Sequence, residues 1–251
     1  MDDGSHGIDN VVARMDALLA PLRASGSPRR HFLETYRRTT IAVGQAITRG
    51  GFEDPDWVER WDVVFAGYYL DALEAFEADP ATAPRPWRIA LSADAARPPL
   101  VHLLLGVNAH INLDLPQALL DVVPTADINH QPTLERRKRD HERIDAILSG
   151  RVAAEDAELA AAGRAARTLI DRLMTPLNRV SSKRFLREAR QRVWHNTIAL
   201  DEARGDGPDA LAGRVAELDV LASARIADLL RPGFVLLRLA TAGFGVALPP
   251  R

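Results

Sequence analysis

Apolar residues recur at three- and four-residue intervals along almost all of this 251-residue chain, and no stretch sustains the two-residue alternation of a half-buried strand. That periodicity leaves helices packed on helices as the way to bury a core. It predicts an all-α, single-domain multi-helix bundle of about 8–9 helices spanning residues 1–251, with residues 1–8 expected to be disordered. The chain is 47% hydrophobic and 26% charged, enough apolar surface for a substantial core.

Punctuation residues divide the pattern. Ser27-Pro28 opens a helix that Gly50-Gly51 stops, and Asp54-Pro55 opens the next, an aromatic-rich helix read as central, which Pro80 ends. Pro98-Pro99 starts a helix containing VHLLLGVNAHINLDLPQALLDVV, in which Pro116 is expected to kink or break the helix just beyond Asp114. A loop is expected from Thr125 to Pro132, followed by helices over about 133–148, 153–174, 181–204 and 208–231. The apolar segment from Gly233 to Leu248 carries Arg238 and is shorter than the about 20 residues of a membrane span, so it is read as a buried terminal helix rather than a membrane-surface segment.

Charge and cysteine content remove several classes of function. Net charge is −2 and the sequence pI about 6.4, which gives no global reason to expect nucleic acid as a partner. Without cysteine there is no disulfide, thiolate nucleophile, iron–sulfur cluster or Cys-ligated zinc. The N-terminal MDDGSHGIDN has neither the basic start nor the apolar stretch of a secretory signal, so a cytoplasmic location is expected, with no transmembrane segment. Dinucleotide loop, P-loop, Gly-x-Ser-x-Gly elbow and Glu-x-x-His motifs are all missing.

What stands out is polarity inside the most apolar helix. At about 100° per residue, His102, His110 and Asp114 fall within roughly a third of the circumference, with Gly106 between the histidines. Asn108 and Asn112 share a second stripe. Groups buried in this way need partners, and the sequence offers Asp62 within WDVVF, Tyr69 on the same face, His141 with Asp145 as a second His-x-x-x-Asp pair, and His195 within RVWHNT. Imidazole and carboxylate four residues apart suit a divalent metal, Zn, Mn or Fe, with His110, Asp114, His141, Asp145 and Asp62 as candidate ligands.

The strings HLLLGVNAHINLDLP and DPDWVERWDVVFAGYYLDAL resemble an uncharacterised bacterial family of all-helical domains, over most of the chain. That resemblance implies a helical fold and assigns no catalytic role. The His-x-x-x-Asp spacing alone is similar to that of the helical zinc-dependent phospholipase C and nuclease class, whose additional histidines are replaced after Asp114 by LPQALL. HERID, from His141 to Asp145, lacks the second histidine of a zinc-protease helix, and Glu142 is expected to face solvent. The basic runs ERRKRDHER and Lys183 to Arg192 are read as solvated helix faces, since acidic residues interleave.

The function expected from these residues is a small-molecule enzyme with a buried site of His110, Asp114 and Asp62 between helices. His102, Tyr69, Asn108, Asn112 and His195 would line its pocket, and the substrate would have an apolar part. Metal-assisted hydrolysis, metal-free acid–base catalysis and a non-catalytic binding or scaffold role all remain open on the sequence.

Overall fold

A computed structural model describes residues 6–144, 176–233, 238–239 and 243–250, with the backbone alone for residues 6 and 176–187. The helices are α1 (His6–Ala24), α2 (Arg30–Thr48), α3 (Pro55–Ala78), α4 (Arg85–Leu91) and α5 (Pro99–Ala109), a π-helical turn (His110–Asp114), then α6 (Leu115–Val122) and α7 (Thr125–Asn129). After these come α8 (residues 131–144), α9 (Pro176–Asp206) and α10 (Pro208–Leu230). No strand occurs among the described residues, so the fold is all-α. The segments expected at 153–174 and at Asp145 lie outside the described residues.

Helix boundaries follow the local chemistry. Asp54 caps α3 by accepting the Trp57 N–H at 3.1 Å, and Pro55 at the first helical position has no N–H to leave unpaired. Gly50, at φ +71°, supplies the left-handed turn that ends α2. Helix α1 begins at His6, inside the stretch expected to be disordered, because Ile8 is buried against Gly44 of α2. Part of the loop expected between Thr125 and Pro132 is the short helix α7, whose Ile128 is buried.

The expected break at Pro116 is absent. In a regular helix its ring would meet the carbonyl of Asn112 and its missing N–H would orphan that acceptor. The chain instead widens by one residue: the Leu115 N–H donates to His110 O, five residues back, and the helical path continues from Pro99 to Val122. Side chains take up neighbouring carbonyls, Gln117 Nε2 donating to Leu113 O at 2.8 Å and Thr197 Oγ1 to Pro116 O at 3.3 Å. This α5–π–α6 segment is the axis of the bundle, with α2, α3, α4, α9 and α10 packed around it.

One basic run has a structural role that its composition hides. Arg137 of α8 is buried, pairs with Asp54 at 2.5 Å and lies over the Trp57 ring at 4.8 Å. Asp140 is fully buried and accepts the N–H groups of Glu53 and Asp54 at 2.8 and 2.9 Å. The face expected to be solvated therefore clamps the start of α3, while Glu142 is exposed as expected.

The terminal helix expected from Gly233 to Leu248 is corrected over its described end: residues 238–239 are helical, and residues 243–248 are not. Residues 243–250 run as irregular extended chain, and their backbone groups are taken up by side chains of the helices. No described helix is long and apolar enough to cross a membrane.

Candidate functional site

The π-helical turn carries the two central groups. His110 Nδ1 lies 2.8 Å from Asp114 Oδ2, and the same oxygen accepts the Trp87 Nε1–H at 2.8 Å. Trp87 can only donate, so Oδ2 is an acceptor; we assign the imidazole proton to Nδ1, which leaves the Nε2 lone pair directed away from Asp114. Both residues are almost completely buried. Burial pushes His110 well below the usual imidazole range, so it is neutral at pH 7. It also raises Asp114, a rise that the Trp87 N–H opposes.

An aromatic enclosure surrounds the imidazole. Phe65 stacks on it at 3.6 Å and 5°, Tyr36 meets it edge-on at 4.6 Å, and Phe32, Tyr69 and Trp87 lie 5.7, 5.9 and 6.0 Å away. Helix α2 brings Phe32 and Tyr36, α3 brings Asp62, Phe65 and Tyr69, and α4 brings Trp87. Three polar atoms of this enclosure lack a hydrogen-bond partner, His110 Nε2, Tyr36 Oη and Tyr69 Oη, and so does Asp62 Oδ2, whose charge acts on Tyr36. Tyr36 is raised well above its ordinary range, first by burial and then by the nearby charges of Asp62 and Asp114. Burial, with a contribution from Glu59, lifts the Asp62 carboxyl to about 7.

Other residues singled out in the sequence go elsewhere. His102 is two helical turns from His110, roughly 12 Å along the axis, with Phe32 seated over Gly106 between them. Its ring lies 6.3 Å from that of His31. Asn108 and Asn112 both donate to Phe244 O at 3.2 Å, and His195 Nε2 donates to Leu248 O at 2.9 Å. These three hold the C-terminal segment and do not face His110. Tyr36 and Trp87 carry no mark in the sequence; the Phe32, Tyr36, Thr40 stripe at four-residue spacing, with two hydroxyls on a buried face, is the one signal that points to α2.

His141 is buried edge-on against Trp61 at 4.9 Å and 6.0 Å from Trp194. Burial, helped by Arg190, lowers it to about 3. A histidine lowered in the fold contributes stability that is complete above the unfolded value of about 6.5 and is lost as pH falls toward 3. Replacing His141 by phenylalanine removes that loss: urea melts at pH 4 show the variant gaining about 3 kcal/mol on wild type relative to their difference at pH 8. Equal pH slopes for the two proteins would refute the assignment.

Among the described residues no three His, Asp or Glu side chains come together as a metal-binding group. His110 Nε2 of the dyad and Asp62 Oδ2 on α3 are left without a hydrogen-bond partner. A surface groove of about 720 Å³ has Asp114 in its wall and is not lined by His110, Tyr36, Tyr69 or Asp62; Tyr68, Pro84, Leu113, Leu211, Val215 and Val220 supply most of its apolar lining. Its size lies within the about 300–1,000 Å³ of small-molecule sites.

A family model matches residues 8–232. The chain belongs to the family of unknown function DUF5995. The DUF5995 region contains all of α2 to α10 and every residue of the dyad and its enclosure. The all-helical family that the two sequence strings resemble is thereby borne out at the level of the family. No curated protein and no solved structure matches the chain.

Proposed function

We propose that this DUF5995 chain is an enzyme that uses His110 as a general base on a small molecule with an apolar part, without a metal in the reacting shell. The observation that carries the reading is the set of three unpartnered polar atoms, His110 Nε2, Tyr36 Oη and Tyr69 Oη, in the enclosure of an imidazole fixed by Asp114. Each such atom costs about 1–3 kcal/mol in a sealed core when no partner reaches it. A substrate that hydrogen-bonds to them offsets that cost.

In this reading Nε2 takes a proton from substrate or from an attacking water, and Asp114 stabilises the imidazolium that forms. The Tyr36 and Tyr69 hydroxyls donate to the oxygen on which negative charge develops. Asp62, held near neutrality, returns or accepts the second proton. Hydrolysis is the leading reaction class. A metal-assisted version would bind at the open His110 Nε2 and take its other ligands from elsewhere, since Asp114 Oδ2 already accepts from His110 Nδ1 and Trp87.

Turnover of p-nitrophenyl esters with short and medium acyl chains, measured together with metal content by mass spectrometry, tests the proposal. Asp114→Asn keeps an acceptor for Trp87 and removes the counter-charge, so it is expected to unfold no earlier than wild type and to lose at least about 100-fold in turnover. His110→Ala is expected to be inactive. Stoichiometric metal that is lost in the His110→Ala/Asp114→Ala variant would replace this reading with the metal-assisted one. A non-catalytic scaffold is favoured by the flat stacking of His110 on Phe65; it predicts that Asp114→Asn changes only stability and that no ester is turned over.

A further inference from the structure

Residues 243–250 are gripped in a way that ordinary packing does not require. Phe244 O accepts from Asn108 and Asn112 at 3.2 Å. The Val246 N–H donates to Asn112 Oδ1 at 2.9 Å, and its carbonyl accepts from Asn196 at 3.0 Å. The Leu248 N–H donates to Asn196 Oδ1 at 2.8 Å, and its carbonyl accepts from His195 at 2.9 Å. The other edge is held as well: Gly243 O by Arg225, Gly245 O by Arg192 and Pro249 O, at 2.8 Å, by Arg214.

Residues 244, 246 and 248 thus face asparagine and histidine, and residues 243, 245 and 249 face arginine, which is the two-residue period of an extended strand read on both edges. Asparagine 112 and asparagine 196 each present a carbonyl and an amide to the backbone, as a neighbouring strand would. Arginine only donates, and it meets only carbonyls. Side chains add little chemical reading: Leu248 is buried beside Leu120, Leu200 and Leu218, while Ala247 points to solvent. Gly245 has no room for a side chain, since a Cβ there would lie 2.9 Å from Arg192 and 3.3 Å from the Ala189 backbone. Every gripping residue lies within the family region at 8–232, and the gripped segment lies outside it.

We propose that the groove formed by the π-turn helix, α9 and α10 is a binding site for an extended peptide, read through its backbone, and that residues 243–250 are its tethered ligand. The site is separate from the His110 dyad and stands or falls independently of the enzymatic reading.

The test uses the full-length chain with Gly245→Val and Val246→Pro, which block the close approach and remove one gripped N–H, and a fluorescein-labelled peptide GFGVALPP. The expected result is saturable anisotropy for this chain and at least tenfold weaker binding to wild type, whose groove is filled. Peptide N-methylated at the valine and the leucine, or the same chain with Asn112→Leu and Asn196→Leu, is expected to bind at least tenfold more weakly. If the released chain does not fold, wild type carrying a specific protease site in place of residues 234–237 is cut after folding and exchanged against labelled peptide. No saturable binding to a natively folded released or cut chain, or equal binding of the N-methylated peptide, overturns the proposal.

Discussion

Replacing Asp62 by asparagine is expected to raise the unfolding free energy by about 4 kcal/mol at pH 8 relative to its effect at pH 3. The carboxyl is lifted from 3.8 to about 7, because it is buried on α3 with Oδ2 unpartnered and Glu59 nearby. A carboxyl raised in the fold contributes stability that is fully present below its unfolded value of 3.8. As pH rises, the unfolded chain ionises first and draws the equilibrium toward itself, until the folded carboxyl also ionises near 7. The contribution is therefore lost between about pH 4 and pH 7 and stays lost above. Asparagine keeps the shape and has no such window. Urea melts of both proteins across this range isolate the residue, since every other group titrates in both. Parallel curves would show that Asp62 is ionised at an ordinary value and partnered in solution. If the proposed enzymatic reading holds, the stabilised variant is expected to lose turnover.

The second large effect is expected at Gly106. Built there, a Cβ would lie 2.5 Å from Phe32 Cγ and 2.8 Å from Phe32 Cβ. The clash involves the root of the ring, close to the α2 backbone, so rotating the side chain cannot relieve it. Phe32 is also held by Tyr69 at 4.8 Å, edge-on, and by Trp87 at 5.6 Å. Gly106→Val is therefore expected to cost about 3 kcal/mol, a loss that outweighs the fraction of about 1 kcal/mol recovered by removing glycine from a helix. The strain is specific to one partner. Adding Phe32→Ala in the Gly106→Val background is expected to cost less than the same change in wild type, and thermal or urea melts of the four proteins give the coupling. Independent, additive effects would mean that α2 and α5 do not approach as described. Displacement of Phe32 also disturbs the His110 enclosure, so the same variant is expected to lose turnover.

Much of the fold could be read from the chain. The helical period, the Asp54-Pro55 start, the Gly50 stop and the Pro98-Pro99 start are local, because caps, proline and left-handed glycine act on backbone groups within a few residues. The pairing of His110 with Asp114 was legible for the same reason, since four residues place two side chains on one helical face. The outcome at Pro116 was not local. Whether a proline breaks a helix or is absorbed by a π-turn depends on packing that keeps the two halves aligned and on neighbours, here Gln117 and Thr197, that bond carbonyls beside the turn.

Sequence by itself determined that these residues form helices and that polar groups would be buried on the central one. Only tertiary structure decided which of them meet. It placed Trp87 and Tyr36 at the dyad and directed Asn108, Asn112 and His195 to the C-terminal segment. It also kept residues 243–248 out of the helix that their composition suggested. The physical reason is that periodicity fixes the direction of a side chain around its own helix and nothing about what lies opposite. A buried donor or acceptor takes whichever partner the packing of helices distant in sequence presents to it.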